Sequence, residues 1–91
     1  MKIRSVVTVK GIVQGVSFRR HTLEKAEKLK VCGWVKNLPN GQVLGCFEGE
    51  KEDVDALVAW CGIGPSTAQV DEVISRREEY RGEFRDFHIS F

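Results

Sequence analysis

The spacing of apolar residues changes along the chain and predicts its first two elements. Residues Ile3–Lys10 alternate between two faces and are rich in β-branched side chains, which predicts a strand. Gly11–Gly15 then reads as a turn or loop. In Phe18–Lys30 the apolar positions recur every three or four residues, which predicts a helix with Ser17 at its N-cap position.

The middle of the chain again changes from the alternation typical of strands to the spacing typical of a helix. Val31–Leu38 and Gln42–Glu48 are strand candidates, and Pro39–Gly41 between them contains the Asn-Gly pair typical of a hairpin turn. Glu50–Cys61 has apolar residues at helical spacing and acidic residues in its first turn, which predicts a second amphipathic helix.

The last third of the chain contributes the remaining strands. Val70–Tyr80 alternates imperfectly, which predicts a strand with a bulge or an early end, and Phe87–Phe91 alternates as a short final strand. Each helix has one apolar stripe that the same sheet must cover. The pattern therefore predicts an α+β, ferredoxin-like βαββαβ sandwich, with two helices on one face of an antiparallel four- to five-stranded sheet. The opposite, wetter face would carry Trp34.

Length and composition indicate one ordinary globular domain spanning residues 1–91. The chain is 42% hydrophobic and 30% charged, and its 14 basic and 13 acidic side chains leave a net charge of +1. This balance argues against a nucleic-acid interface built on overall charge, but it is compatible with a local anion site. No apolar stretch approaches the roughly 20 residues needed to cross a membrane, and no signal peptide is recognisable. We therefore expect a cytoplasmic protein.

The three cysteines, Cys32, Cys46 and Cys61, are expected to be small buried or half-buried thiols. An odd number cannot pair completely within one chain, and no two have the spacing of a zinc or redox motif. The two histidines, His21 and His88, also lack the paired spacing of zinc ligands. The sequence therefore predicts no metal site.

The segment Gly11–Arg19, GIVQGVSFR, has the features of an anion site between a strand and a helix. Its glycines allow the backbone to approach a ligand closely, and the N–H groups of the loop and the first helical turn lack intrahelical partners. Arg19 adds a planar fork that can hold two oxyanion atoms. Together these groups would form a phosphate-sized site. The alternative is an ordinary connecting loop followed by a surface arginine.

Asn37 is the second candidate for chemistry. It lies two residues after Val35, so both side chains point to the helix-covered face of the sheet, near the end of a strand. An amide both donates and accepts hydrogen bonds, so it can hold and orient a water molecule. The alternative is that Asn37 merely ends the strand and begins the turn.

Together the two segments resemble the acylphosphatase family. The resemblance lies in GIVQGVSFRRHT (residues 11–22), GWVKNLPNGQV (residues 33–43) and the βαββαβ order, and it covers nearly the whole chain. Members of that family hydrolyse the carboxyl–phosphate bond of acyl phosphates to a carboxylate and inorganic phosphate, without a metal. The resemblance implies that Arg19 binds phosphate and that Asn37 orients the attacking water. The backbone N–H groups of the loop would cradle the phosphate, and they belong to Gln14, Gly15, Val16, Ser17 and Phe18.

The resemblance implies a metal-free enzyme that acts on small acyl phosphates and releases inorganic phosphate, and we expect no cofactor. The balanced charge and the lack of a long apolar stretch lead us to expect no nucleic-acid or membrane partner, and the lack of an obvious large apolar surface favours a monomer. Neither Arg19 nor Asn37 is a good base near neutral pH, so the proton of the water is expected to pass to a phosphate oxygen of the substrate. The alternative is a non-catalytic ferredoxin-like module that binds an anion or a small molecule. An RNA-binding sheet is disfavoured because Gln42–Glu48 has one aromatic and no basic residue.

Three further residues near the two segments have simpler interpretations. His21 lies between the apolar positions of the first helix and is expected at its surface rather than in catalysis. Thr22 is expected to hydrogen-bond back to its own helix. Phe91 ends the chain beside an apolar strand, and its carboxylate is a candidate partner for Arg19.

Overall fold

A computed structural model describes all 91 residues, from Met1 to Phe91. Seven elements follow one another in the predicted order. They are β1 (Lys2–Ile12), α1 (Phe18–Leu29), β2 (Cys32–Asn37), β3 (Val43–Glu50), α2 (Lys51–Cys61), β4 (Gln69–Glu78) and β5 (Phe87–Ile89). The first six are the predicted βαββαβ elements, and the seventh is the short fifth strand. Neither helix is long and apolar enough to cross a membrane.

The five strands form one sheet in the order β4-β1-β3-β2-β5. The first four are antiparallel to their neighbours, but β5 runs parallel to β2, with Val35 opposite Ile89. The prediction of a wholly antiparallel sheet was therefore wrong at this edge. The physical reason is the path of residues 79–86, which leave β4 at the end of the sheet where β2 begins. A strand that starts from that end must run in the same direction as β2.

The core lies between the sheet and the two helices, which pack on one face as predicted. The rings of Phe18 in α1 and Trp60 in α2 join the helices, with their centroids 5.6 Å apart. Leu29 and Val58, which the spacing also assigns to the apolar stripes, are partly buried. The fully buried helical positions are Phe18, Thr22, Ala26, Val54, Leu57 and Cys61.

The strand β1 continues two residues beyond its predicted end. Its pairing with β4 shifts register so that Lys10 faces Glu72 and Gly11 faces Val70, which leaves Asp71 as the extra residue of the expected bulge. A Cβ at Gly11 would lie 2.1 Å from the carbonyl oxygen of Gln69, so only glycine fits there. The predicted hairpin turn is confirmed by hydrogen bonds between Leu38 and Gln42 and between Gly41 and Leu38.

The opposite face of the sheet is only partly the wet surface that was predicted. Trp34 lies there, half-buried, with the ammonium of Lys36 5.4 Å from its ring. Cys46, which lies opposite Trp34 on β3, is buried. Arg4 and Glu48, which pair with each other nearer the start of β1, are buried as well. The cause is the segment 79–86, which crosses this end and donates two backbone N–H groups to the Glu48 carboxylate.

The strand directions bring several chain segments to one end of the sheet. Because β1, β2 and β5 all run the same way, their last residues Ile12, Asn37 and Ile89 lie at the same end. The loop before α1, the β2–β3 hairpin and the end of the chain therefore meet there.

Candidate active site

The loop between β1 and α1 contains two residues in the left-handed region, Gly15 at φ 72° and Ser17 at φ 62°. A Cβ added to Gly15 would meet no atom within 4 Å, so its positive φ rather than a lack of space favours glycine. At Ser17, which has a side chain, this conformation costs roughly 1–2 kcal/mol. Strain of this kind concentrates at functional sites, and left-handed residues in a turn direct backbone N–H groups into an anion-binding concavity.

Ser17 occupies the predicted N-cap position of α1, but its side chain makes no capping hydrogen bond. The first turn of the helix also contains no acidic residue. The N–H groups at this end therefore have no side-chain acceptor and carry the partial positive charge of the helix dipole. They are available to an external anion.

Arg19 lies in the first turn of α1 and lines the cavity at this end of the sheet. No carboxylate lies within 4.0 Å of its guanidinium, and its centre is 5.1 Å from the centroid of the Phe91 ring. The structure therefore places the aromatic ring of Phe91 on Arg19, instead of the ion pair with the terminal carboxylate that was considered. A contact of this kind occupies none of the guanidinium N–H donors with a hydrogen-bond acceptor, so they remain available to a ligand.

Asn37 is the last residue of β2, and it lines the same cavity as Arg19. Its Oδ1 atom is buried and has no hydrogen-bond donor within the chain. Leaving a buried acceptor unpaired costs about 1–3 kcal/mol, and such groups call for a specific explanation. A water molecule or a substrate hydroxyl would supply the missing donor.

The cavity that gathers these groups has a volume of about 410 Å³. Five of the seven predicted site residues line it, while Gln14 and Val16 do not. Arg20 is a cation of the lining that the prediction missed, although its position next to Arg19 in the sequence was a signal. The lining contains no acidic side chain, so its electrostatic potential favours an anion. The lining residues are Val13, Gly15, Ser17, Phe18, Arg19, Arg20, Asn37, Ile89 and Phe91.

Gln14 and Val16 hold the loop in place through contacts that were not predicted. The side-chain Nε2 of Gln14 donates hydrogen bonds to the carbonyl oxygens of Leu38 and Gln42, both at 2.8 Å. The carbonyl oxygen of Val16 accepts a hydrogen bond of 2.8 Å from the hydroxyl of Thr67. The first contact joins the loop to the hairpin that follows Asn37, and the second joins it to the segment before β4.

The expected surface position of His21 and the expected hydrogen bond of Thr22 are confirmed. His21 is exposed, and its Nδ1 lies 2.8 Å from the carbonyl oxygen of Ser17, which can only accept, so Nδ1 carries the proton. Thr22 is buried and donates a 2.8 Å hydrogen bond from its hydroxyl to the carbonyl oxygen of Phe18. No His, Asp, Glu, Lys or Cys side chain lines the cavity.

The three cysteines are free thiols, buried or half-buried as predicted, and none of them lines the cavity. Cys46 and Cys61 are buried, and Cys32 is half-buried. Burial raises the pKa of the Cys61 thiol to about 12 and also raises the pKa of Cys46. Nowhere does the chain group three His, Cys, Asp or Glu side chains so that they could hold a metal ion.

Comparisons with known proteins agree with this architecture over its full length. The family model described as acylphosphatase matches residues 5–89. The acylphosphatase of Geobacter sulfurreducens is 65% identical over 91 residues, which cover all of both chains. The structure of an acylphosphatase from Coxiella burnetii is 37% identical with a TM-score of 0.92, and covers 98% of this chain and 93% of that chain. The crystal structure of the acylphosphatase from Bacillus subtilis is 28% identical with a TM-score of 0.94, and the match covers 98% of this chain and 99% of that chain. These matches confirm the ferredoxin-like fold, and the chain belongs to the acylphosphatase family of enzymes.

Proposed function

We propose that this acylphosphatase hydrolyses the carboxyl–phosphate bond of acyl phosphates at the cavity between the loop and β2. Arg19 and the N–H groups of the loop residues that line the cavity, Gly15, Ser17 and Phe18, bind the phosphoryl group, and Asn37 orients the attacking water. One observation carries this assignment. A guanidinium without a carboxylate partner and a buried amide oxygen without a donor line the same cavity. A phosphoryl group satisfies the first, and a water molecule satisfies the second.

The reaction needs little beyond positioning and charge stabilisation. The water oxygen attacks phosphorus, the bond from phosphorus to the acyl oxygen breaks, and the carboxylate leaves with the electron pair. A carboxylate is a good leaving group, so no acid is required at that oxygen. The Arg19 fork and the loop amides stabilise the charge on the phosphoryl oxygens, and Asn37 fixes the direction of attack.

The proton of the water passes to a phosphoryl oxygen of the substrate. No side chain of the cavity lining is a general base near neutral pH, and His21 is exposed and bonded to the carbonyl oxygen of Ser17. The proposal therefore predicts that the rate does not follow the titration of a protein group near neutrality.

We also infer that the enzyme acts as a cytoplasmic monomer on free small molecules rather than on nucleic acid. Arg19 and Asn37 line one cavity of a single chain, so the site needs no second copy. The three unpaired thiols are typical of a reducing compartment. The net charge of +1 supports local attraction of a small anion better than binding of a long polyanion.

The role of Arg19 is tested by hydrolysis of benzoyl phosphate, followed by ultraviolet absorbance. Arg19→Ala and Arg19→Lys should each lower kcat/KM by about 10²–10³, the value of a single oxyanion donor, because lysine lacks the planar fork. Arg76→Lys is the matched control, since that side chain is 71% exposed on β4. A loss below about tenfold in Arg19→Lys would contradict the assignment.

The role of Asn37 is tested by separating turnover from phosphate binding. Asn37→Ala should lower kcat, yet competitive inhibition by inorganic phosphate should stay within about twofold, because Asn37 acts on the water. Its melting temperature should not fall, since the variant removes a buried unpaired oxygen. Asn40→Ala is the control, as that amide lies exposed in the turn. Equal losses of turnover and phosphate affinity would make Asn37 a binding residue instead.

The wild-type protein decides between enzyme and binding module. Turnover of benzoyl phosphate that a chelator leaves unchanged supports the proposal, and loss of activity with chelator refutes a metal-free reaction. Phosphate binding without any turnover of the acyl phosphate would identify a non-catalytic anion-binding module.

A further inference from the structure

The cavity is larger than the proposed phosphoryl chemistry requires. Its volume is about 410 Å³, and a water molecule occupies about 30 Å³ of the liquid. It therefore has room for roughly a dozen waters, more than a phosphoryl group and one attacking water fill. The polar groups lie on the loop, α1 and the end of β2. The apolar surface of the lining comes from Ile89, which is half-buried, and Phe91, which is exposed.

The sheet holds this apolar surface in position up to the last residue of the chain. Ile89 pairs with Val35 across the parallel β2–β5 edge, and Ser90 donates its backbone N–H to the carbonyl oxygen of Val35 at 2.8 Å. Phe91 follows directly, and the same register continued by two residues brings its backbone level with Asn37 at the end of β2. Its ring rests on the Arg19 guanidinium at 5.1 Å.

The contact between ring and guanidinium determines what a bound phosphoryl group has beside it. The Cζ atom of Arg19 lies over the ring, 5.1 Å from its centroid, so a phosphoryl group held by the guanidinium N–H donors lies near the ring. A group attached to that phosphoryl therefore emerges next to the ring. Phe91 is fully exposed in the free protein, so its ring gives an apolar acyl group a surface from which to displace water.

We infer that Phe91, supported by Ile89, binds the acyl group and makes the enzyme favour aromatic over short aliphatic acyl phosphates. This inference rests on the proposed function, because it assigns the part of the cavity that the phosphoryl group leaves empty. Offset stacking of an aromatic acyl group on Phe91 is the contact that a short acyl chain does not make.

The test compares benzoyl phosphate and acetyl phosphate as substrates of the wild type and of Phe91→Ala, which keeps the terminal carboxylate. Phe91→Ala should raise KM for benzoyl phosphate about tenfold, equivalent to about 1.4 kcal/mol. KM for acetyl phosphate and inhibition by inorganic phosphate should change less than about twofold, because neither ligand reaches the ring. Phe91→Tyr should retain the wild-type preference. Ile63→Ala, at a 74% exposed apolar residue outside the cavity, should not change it.

Two results would overturn the inference while leaving the proposed function intact. If Phe91→Ala weakens both substrates and phosphate equally, the ring positions Arg19 and does not recognise the acyl group. If the preference for benzoyl phosphate is unchanged, the ring has no part in selectivity. Failure of the wild type to hydrolyse either substrate would instead overturn the proposed function, and the inference with it.

Discussion

Gln14 provides the sharpest test of how the loop is held, because one side chain makes two hydrogen bonds to the hairpin. Its Nε2 lies 2.8 Å from the carbonyl oxygens of both Leu38 and Gln42. At about 0.5–1.5 kcal/mol for each hydrogen bond, Gln14→Ala should lower the free energy of unfolding by about 1–3 kcal/mol. For a domain of this size, each 1 kcal/mol lowers the melting temperature by roughly 4–8 °C.

Gln14→Glu distinguishes hydrogen bonding from packing, since it preserves the size and shape of the side chain. An ionised carboxylate only accepts, so it would face the two carbonyl oxygens without a donor. At neutral pH we expect Gln14→Glu to lower the free energy of unfolding more than Gln14→Ala does. The carbonyls favour the protonated acid, which raises the pKa of the introduced group in the folded state. The folded state then binds more protons, so stability should recover as the pH falls through this raised pKa.

The assay is urea unfolding followed by tryptophan fluorescence between pH 4 and 8, together with kcat and KM for benzoyl phosphate. Asn37 directly precedes Leu38, so a released hairpin also shifts the water-orienting amide relative to the loop. A displacement of about 1 Å can cost about 10²-fold, so kcat should fall at least tenfold. Gln42→Glu is the matched control, because its side chain makes no hydrogen bond in the structure and only its backbone contacts Gln14. If Gln14→Glu is as stable as the wild type and shows no pH dependence beyond the control, the reasoning about the loop is refuted.

Two further predictions concern groups outside the active site. Arg4→Met should lower the free energy of unfolding by about 3–5 kcal/mol, because it leaves the carboxylate of Glu48, which is only 2% exposed, without the Arg4 cation. In the same urea titration the control Arg76→Met, at a 71% exposed side chain, should change the free energy of unfolding by less than about 0.5 kcal/mol. If the two variants lose the same free energy of unfolding, the buried pair of Arg4 and Glu48 does not contribute as argued. In the native protein, iodoacetamide should alkylate Cys32 first, as mass spectrometry of digests can show. Cys61 should remain unmodified, because it is buried and its pKa is about 12. Labelling of Cys61 without unfolding would contradict its burial.

The residues that could be predicted from the sequence are those whose roles depend on local pattern. The helical spacing from Phe18 onwards, the Asn-Gly turn and the alternation of β1 identified the elements and their order. Once the order is known, β1 and β2 must end at the same end of the sheet, which places the loop beside Asn37. For this reason the sequence alone predicts that Arg19 and Asn37 lie close together.

The residues that could not be predicted depend on distant partners. Gln14 finds its acceptors 24 and 28 residues away, in carbonyl groups whose direction is set only by the folded hairpin. The parallel pairing of β5 depends on the path of residues 79–86, and so does the burial of Arg4 on a face that alternation assigns to solvent. Alternation reports which face a side chain occupies, but not what later crosses that face.

The two ends of the sheet differ in whether their polar groups have partners within the chain, and this difference indicates where a ligand binds. At one end Arg4 and Glu48 are paired, and the carboxylate accepts two backbone N–H groups as well. The buried Nε of Arg4 makes no hydrogen bond, but it lies 3.5 Å from a carboxylate oxygen of Glu78. At the other end Arg19 has no carboxylate partner, the Oδ1 of Asn37 has no donor, and Ser17 adopts a left-handed conformation. The unpaired atom at the first end still has a carboxylate beside it, whereas the chain supplies no partner for the groups at the other end, and a ligand would complete them. An acyl phosphate and one water molecule supply an anion for Arg19 and the loop and a donor for Asn37. These groups lower the stability of the free protein, and they gain their partners when the substrate and the water bind.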